Sequence, residues 1–209
     1  MELIQCPRRG RPPRFFEDIG GTRDALVRSG MELFTEQGFS GTGIDAVLRR
    51  VGIPKGSFYY YFDSKNDFGR QVMAAYDVYF GSKLGRFLTA EDRGPLQRLR
   101  DFTDDAKRGM ERHGFNRGCL VGNLGQETAM LPADFRQLLG AILLRWQGQT
   151  ARCLREAQGR GELARKADCE KWAAFFWTGW EGAVLRSRLA RSGDPLDNFM
   201  SLYLESLPT

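Results

Sequence analysis

Six residues in the stretch KGSFYYYF have a side chain or backbone suited to binding DNA. A helix that starts here would present free backbone N–H groups to phosphate, and a lysine would add positive charge. Serine and tyrosine hydroxyls can bond phosphate oxygens or base edges, and tyrosine rings can lie against thymine methyl groups. The candidate DNA contacts are Lys55, Gly56, Ser57, Tyr59, Tyr60 and Tyr61.

The aromatic residues of this stretch have a second interpretation, which is ordinary packing. Phe58 and Phe62 are four residues apart and share one face of a helix, so we expect them to fix that helix to its neighbours. We expect at least one of the three tyrosines to pack as well.

The helix-capping and helix-ending residues around this stretch predict three short helices. Thr42 followed by Asp45 matches a capping box, so a helix should begin there and end at Gly52. A second helix is predicted over 55–61, after a tight turn. Ser64 with Asp67 repeats the capping pattern and predicts a third helix from 65 to about 80. A helix, a turn containing glycine and a second helix are typical of a helix-turn-helix that places its second helix in the major groove.

The run VGIPKGSFYYYFDSKNDF resembles the recognition segment of the TetR family of transcriptional regulators. The resemblance implies a DNA-binding domain of three helices and a larger helical domain that binds a small ligand and dimerises. It places the six residues named above at the DNA, Lys65 at a phosphate, and Thr42 among the DNA-binding residues. Pro54 departs from the family pattern, in which a capping serine or threonine is common, but proline is tolerated in a first helical turn.

Composition sets the wider limits. The 209 residues carry a net charge of +5 and a pI of about 9.2, which favours an anionic partner. No apolar run approaches a membrane span, and the arginine-rich N-terminus is unlike a signal peptide, so we expect a cytoplasmic protein without a membrane partner. The four cysteines are widely spaced and there is one histidine, which supports neither a zinc site nor a disulfide framework. We expect no cofactor.

Residues 1–21 are predicted to form a flexible basic arm. The sequence Arg9-Gly10-Arg11-Pro12 resembles an AT-hook, in which arginines enter a narrow minor groove. The alternative is a solvated basic tail. Beside a helix-turn-helix, we expect Arg9 and Arg11 to strengthen DNA binding.

The rest of the chain predicts an all-α protein. Residues 22–68 would form the helix-turn-helix domain and residues 69–209 the ligand-binding and dimerisation domain. Further helices are expected at 22–37, 96–111, 134–158, 168–191 and 194–207. The helix at 168–191 is apolar nearly all round. Gly179 and Ala183 would let a partner helix approach closely, so we expect the last two helices to form a four-helix bundle in a homodimer; the alternative is a covered core helix.

Cys119 lies in RGCLVGN, two residues after Arg117. It would be either an inert buried thiol or a thiolate-prone cysteine that adds to an electrophile. The GCL context, with FDSKNDFG and FFWTGWEGAVLRSRLA, resembles the TetR subgroup that responds to acrylate and other reactive electrophiles.

Other residues of the C-terminal half are candidates for a ligand pocket. The apolar ones could equally be core, and Glu181 could touch a ligand or be paired structurally, which we favour because an unpaired acid in an apolar run is costly. The candidates are Phe102, Trp146, Trp177, Trp180 and Glu181.

These features favour a repressor that binds a near-palindromic operator and is released by a small molecule. An architectural or non-ligand-responsive DNA binder is the alternative. An enzyme is excluded, because Cys119 and His113 would be the only nucleophile and base and lack an orienting third group.

Overall fold

The computed structural model describes the backbone of residues 19–209 and the side chains of residues 21–209. Arg9 and Arg11, with the rest of the arm up to residue 18, lie outside the described residues. All regular structure within the described part is helical, which confirms the predicted fold class. None of the helices in this part is both long and apolar enough to cross a bilayer.

The first four helices contain the predicted helix-turn-helix, and we call them the DNA-binding end after that prediction. They are α1 (Ile19–Gln37), α2 (Ile44–Val51), α3 (Phe58–Tyr61), which continues a 3₁₀ turn at Lys55–Ser57, and α4 (Lys65–Leu88). Gly38 ends α1 and Gly52 ends α2, each at a positive φ near 75° that glycine adopts without strain.

Phe58 and Phe62 fix the second helix of the motif to its neighbours, as predicted. Both side chains are at most 2 % exposed. Their rings lie 5.4 and 4.8 Å from that of Phe68 in α4, measured between centroids. This packing turns Tyr59 and Tyr60 of α3 outward.

The predicted cap at Thr42 is wrong, whereas the one at Ser64 is confirmed. The residue that caps α2 is Gly43, without a side-chain hydrogen bond. The Thr42 hydroxyl instead donates to the Gly38 carbonyl at 2.6 Å and closes the loop after α1, which buries it. Ser64 Oγ accepts from the Asp67 backbone N–H at 3.0 Å.

α4 continues two turns beyond the predicted end at residue 80. Leu84 and Leu88 are buried in the added turns, and burial of this kind outweighs the cost of about 1 kcal/mol for each of Gly81 and Gly85 in a helix. The predicted domain boundary between residues 68 and 69 falls inside this continuous helix.

The C-terminal half contains α5 (Pro95–Arg112), α6 (Leu120–Gly125), α7 (Ala133–Gly159), α8 (Cys169–Ala190) and α9 (Asp194–Ser206). α7 and α8 pack along each other, and α9 covers α8. Gly179 serves this intrachain contact, because a Cβ there would lie 2.2 Å from the Phe199 ring of α9. The expectation that Gly179 and Ala183 admit a partner helix is therefore wrong: both face their own chain.

Gly30 allows α1 and α4 to cross closely, and replacing it should destabilise the protein. A Cβ at residue 30 would lie 2.5 Å from Phe68 Cζ and 2.6 Å from Val72 Cγ2. Overpacking of this kind costs about 1–3 kcal/mol, so Gly30→Ala should lower the urea midpoint at fixed protein concentration. Gly140→Ala in α7 is the matched control, since nothing lies within 4 Å of its Cβ position and it should be neutral or stabilising. Equal midpoints for the two variants would contradict close packing at residue 30.

Candidate functional site

Lys55, Tyr59 and Tyr60 project from the 3₁₀ turn and α3 into solvent. The Lys55 side chain is 84 % exposed, and Tyr59 and Tyr60 are 66 % and 55 % exposed. Large exposed aromatic side chains are unusual on a surface that binds nothing. Gly56 lies between them with no atom within 4 Å of its Cβ position, and Ser57 is half-buried.

The Lys55 ammonium pairs with Asp45 of α2 at 2.9 Å. Both side chains are at least half exposed, and such ion pairs contribute about 0–1 kcal/mol. A DNA phosphate could therefore displace Asp45 from Lys55 at little cost.

The other predicted DNA contacts lie deeper. Tyr61 is half-buried and packs against the core. The Lys65 ammonium lies 4.5 Å from the centroid of the Phe39 ring, and burial lowers its pKa although Glu127 opposes the shift. Thr42 is 1 % exposed, so its side chain is not on the surface that carries Lys55 and Tyr60.

A cavity of about 350 Å³ lies between the DNA-binding end and the C-terminal half. Its wall combines α1, α4, α5 and α8 with the segment before α6. Its lining residues include Arg28, Glu32, Tyr76, Tyr79, Phe80, Lys83, Arg112, Arg117, Cys119 and Trp180.

The charge of the cavity wall is mainly positive. Four cations line it, namely Arg28, Lys83, Arg112 and Arg117, against the single carboxylate of Glu32. The Lys83 ammonium forms a salt bridge, at 2.5 Å, with Asp105, which is not one of the lining residues. Arg28 and Arg112 are exposed where they border the cavity, and their positive charges favour an anionic molecule.

Arg117 joins the cavity to the DNA-binding helices. Its guanidinium lies 3.0 Å from Glu32 and 2.8 Å from Glu36, both in α1. The same carboxylates also bind Arg50 of α2, at 3.3 and 3.1 Å. Burial alone would raise the pKa of Glu36, but hydrogen bonds from Arg50 and Arg117 lower it below its ordinary value. The four side chains therefore form one charge network between the cavity and the helix-turn-helix.

A second tie connects α8 to the end of α1. Arg188 donates to the Asn123 side-chain oxygen at 2.7 Å and to the Glu36 carbonyl at 2.8 Å. Asn123 in turn donates to the Thr35 carbonyl at 2.8 Å. A shift of α6 or α8 would therefore displace the C-terminus of α1 or break these hydrogen bonds.

Three of the predicted pocket aromatics do not line the cavity. Phe102, Trp146 and Trp177 are at most 4 % exposed and form the core behind it. The indole N–H of Trp146 donates to Asp77 and that of Trp177 to Thr150, so neither is left for a ligand. Trp180 does line the cavity, as predicted.

Cys119 lies on the cavity wall with its side chain largely buried. Burial, together with the neighbouring Glu181 carboxyl, raises the pKa of the thiol well above its ordinary value. Arg117 is bound to Glu32 and Glu36 instead of the sulfur. Of the two alternatives for Cys119, the structure therefore favours the buried thiol over the thiolate-prone one.

Glu181 is paired structurally only in part, because its carboxyl accepts a hydrogen bond from the Cys119 thiol but from no cation of the described chain. Its Oε1 atom is buried and has no hydrogen-bond partner among the described residues. Burial raises the pKa of this carboxyl, and the hydrogen bond with the Cys119 thiol partly offsets the shift. The resulting pKa is about 7. The acid instead faces Cys119 beside the cavity.

Sequence reasoning missed Arg28, Lys83 and Arg112 as cavity residues. They come from α1, α4 and α5, and each would pass as a solvated surface cation in its own helix. Only the packing of the three helices brings them together.

The chain matches two family descriptions that together span both halves. Residues 26–72 match "Bacterial regulatory proteins, tetR family", and residues 95–203 match "Tetracyclin repressor-like, C-terminal domain". The first match contains the helix-turn-helix and the second contains most of the cavity wall.

Known proteins resemble the chain over nearly its whole length. It is 50 % identical to the transcriptional regulator AcuR of Cereibacter sphaeroides, over 95 % of this chain and 90 % of that one. It is 33 % identical to the transcriptional repressor DhaR of Mycobacterium sp., over 88 % and 91 % of the two chains. A crystal structure described as regulatory protein TetR from Rhodobacter sphaeroides superposes with a TM-score of 0.87 at 47 % identity, covering 89 % of this chain and 98 % of that one.

The relatives are transcriptional regulators, which agrees with the exclusion of an enzyme. Their similarity extends over the exposed recognition segment and the cavity alike. The chain therefore belongs to the TetR family of DNA-binding transcriptional regulators.

Proposed function

We propose that this protein is a ligand-responsive transcriptional repressor, which binds a near-palindromic operator as a homodimer in the cytoplasm and is released by a small molecule. The cavity carries this proposal. It is lined both by α1 of the DNA-binding end and by α5 and α8 of the C-terminal half. A molecule bound there would stabilise one arrangement of the two parts and shift the population between DNA-binding and free states.

Operator contact is assigned to the exposed recognition segment. Lys55, Gly56, Tyr59 and Tyr60 have the required access, with Ser57 beside them. The half-buried Tyr61 and Lys65 would contact the DNA backbone only where it lies closest to the protein. Thr42 would act indirectly, through the loop that its hydroxyl closes. Arg9 and Arg11 are proposed to add minor-groove contacts from the arm.

The dimer is assigned to the outer face of α8 and α9. Phe175, Leu189 and Leu202 are 51 %, 78 % and 65 % exposed on these helices. Gly182 is also exposed, and no atom of the described residues lies within 4 Å of its Cβ position, so a second α8 could approach closely there. Two copies would bury these apolar side chains in an isologous four-helix arrangement.

The effector is proposed to be a small anion, with acrylate or another small unsaturated acid as the candidate. The cationic wall suits its carboxylate, and Cys119 on the same wall suits an electrophilic carbon. The relationship to AcuR supports the family assignment; the choice of acrylate rests on the subgroup resemblance and the charge of the cavity.

Operator release tests the proposal. DNA from immediately upstream of the protein's own gene would be labelled and binding followed by fluorescence anisotropy while acrylate is titrated. We expect acrylate to lower operator affinity for the wild type, and for Cys169→Ser as a control thiol outside the cavity. An architectural binder would show no acrylate effect and less than roughly a thousandfold preference for operator over unrelated DNA.

A further inference from the structure

The Glu181 carboxyl and the Cys119 side chain border the same small space. A Cβ placed on Gly122 would lie 2.0 Å from Glu181 Oε2 and 3.7 Å from Cys119 Cβ. Because Gly122 has no side chain, the Glu181 carboxyl of α8 can lie close to the Cys119 thiol, which belongs to the segment before α6. Cys119 in turn faces the cavity.

The acid has no other assigned task. Glu181 Oε1 is buried and makes no hydrogen bond with any described residue. The carboxyl has the Cys119 thiol as a hydrogen-bond partner, which leaves Oε1 unsatisfied at a cost in free energy that the fold does not otherwise explain. The titratable groups of the described chain that face it are Cys119 and, from α4, Tyr76.

The three groups differ in what they can do with a proton near neutral pH. Burial raises the pKa of the Cys119 thiol and of the Tyr76 hydroxyl well above their ordinary values, so both are protonated. Burial raises the pKa of Glu181 only to about 7. Glu181 is thus the member of this cluster that can both accept and return a proton.

We propose that Glu181 is the proton acceptor for Cys119 when its sulfur adds to the β-carbon of an α,β-unsaturated carboxylate in the cavity. This inference rests on the proposed function for the entry of such a molecule. The Glu181 carboxylate takes the thiol proton while the new C–S bond forms. The π electrons of the alkene move toward the α-carbon and the carboxylate of the bound acid.

The proton then passes from Glu181 to the α-carbon of the adduct. The product is a thioether, and Glu181 returns to its carboxylate form. One S–H and one C=C π bond are exchanged for one C–S and one C–H bond, so no oxidant or reductant is needed. The cationic wall holds the carboxylate of the acid during the step.

The test is the rate at which acrylate and the neutral analogue acrylamide modify each cysteine, followed by peptide mass spectrometry on the full chain. We expect Glu181→Gln to slow adduct formation at Cys119 at least tenfold at pH 7.5 with both reagents. Cys153 and Cys169 serve as reference thiols in the same sample, and unchanged rates there show that the variant is folded. Glu181→Asp should give an intermediate rate at Cys119.

The opposite result has a clear physical meaning. If Glu181 merely repels a thiolate, removing its charge lowers the thiol pKa and Glu181→Gln should react faster. An equal or faster rate in Glu181→Gln, or no adduct at Cys119 in the wild type, overturns the inference. For the wild type we expect the rate to rise between about pH 6 and 8 and then level off, as the carboxyl ionises.

Failure of this inference and failure of the proposed function can be told apart. Operator release by acrylate without an adduct at Cys119 would leave the repressor intact and remove the covalent step. An adduct at Cys119 without operator release would support the covalent step and contradict release of the operator by acrylate.

Discussion

Tyr60→Ala should lower affinity for the operator at least fivefold, with little change in affinity for unrelated DNA. Tyr60 is half exposed on the face of α3 that Phe58 and Phe62 turn away from the core. Contacts of a side chain with base edges and thymine methyls provide about 1–3 kcal/mol of discrimination, which corresponds to roughly five- to 150-fold. Tyr60→Phe keeps the ring and should retain more affinity than the alanine variant. Anisotropy with operator and scrambled duplexes measures both effects.

Lys55 provides a matched pair of variants for the phosphate contact on the same surface. Lys55→Ala should weaken binding to all sequences and reduce the salt slope by about 1. Asp45→Asn leaves Lys55 in place and removes the carboxylate that lies 2.9 Å from it, so binding should be equal or tighter. If Tyr60→Ala and Lys55→Ala both retain full operator affinity, the recognition surface is assigned to the wrong residues.

Arg117→Ala should raise the acrylate concentration needed to release operator by at least tenfold. In the structure, Glu32 and Glu36 bind its guanidinium and also bind Arg50 of α2. A carboxylate in the cavity would compete for Arg117 and so disturb the network that reaches the helix-turn-helix. A charged hydrogen bond contributes about 1.5–3 kcal/mol, which sets the expected size of the loss.

The coupling should also be visible in the reverse direction. For the reversible binding that precedes any covalent step, linkage requires operator DNA to lower acrylate affinity by the factor by which acrylate lowers operator affinity. Both factors should shrink together in Arg117→Ala. Arg145→Ala is the control, because that guanidinium pairs with Asp77 and does not line the cavity. An unchanged dose response in Arg117→Ala would show that the Arg117 network does not transmit the signal.

Local sequence determined the helix-turn-helix and most of the helices. Gly52, the Ser64 cap and the spacing of Phe58 and Phe62 act within a few residues, so their effects can be inferred without knowing the rest of the fold. The same holds for α5, α7, α8 and α9, whose bounds lie within one or two residues of the prediction. Thr42 is the exception, because its hydroxyl had two local partners available and it bonds backward to Gly38.

Tertiary structure alone decided which side chains form the cavity and how they behave. Arg28, Lys83 and Arg112 are on three helices, and Arg117 loses its apparent role beside Cys119 because α1 brings Glu32 and Glu36 to it. Gly179 was expected at a dimer interface, but the Phe199 ring of the same chain packs against it. Glu181 could be recognised from sequence as a costly acid in an apolar helix, but whether it meets a cation or a thiol depends on α8 crossing Gly122. Proton affinity and charge pairing follow from burial and from neighbours distant in sequence, which helical periodicity does not record.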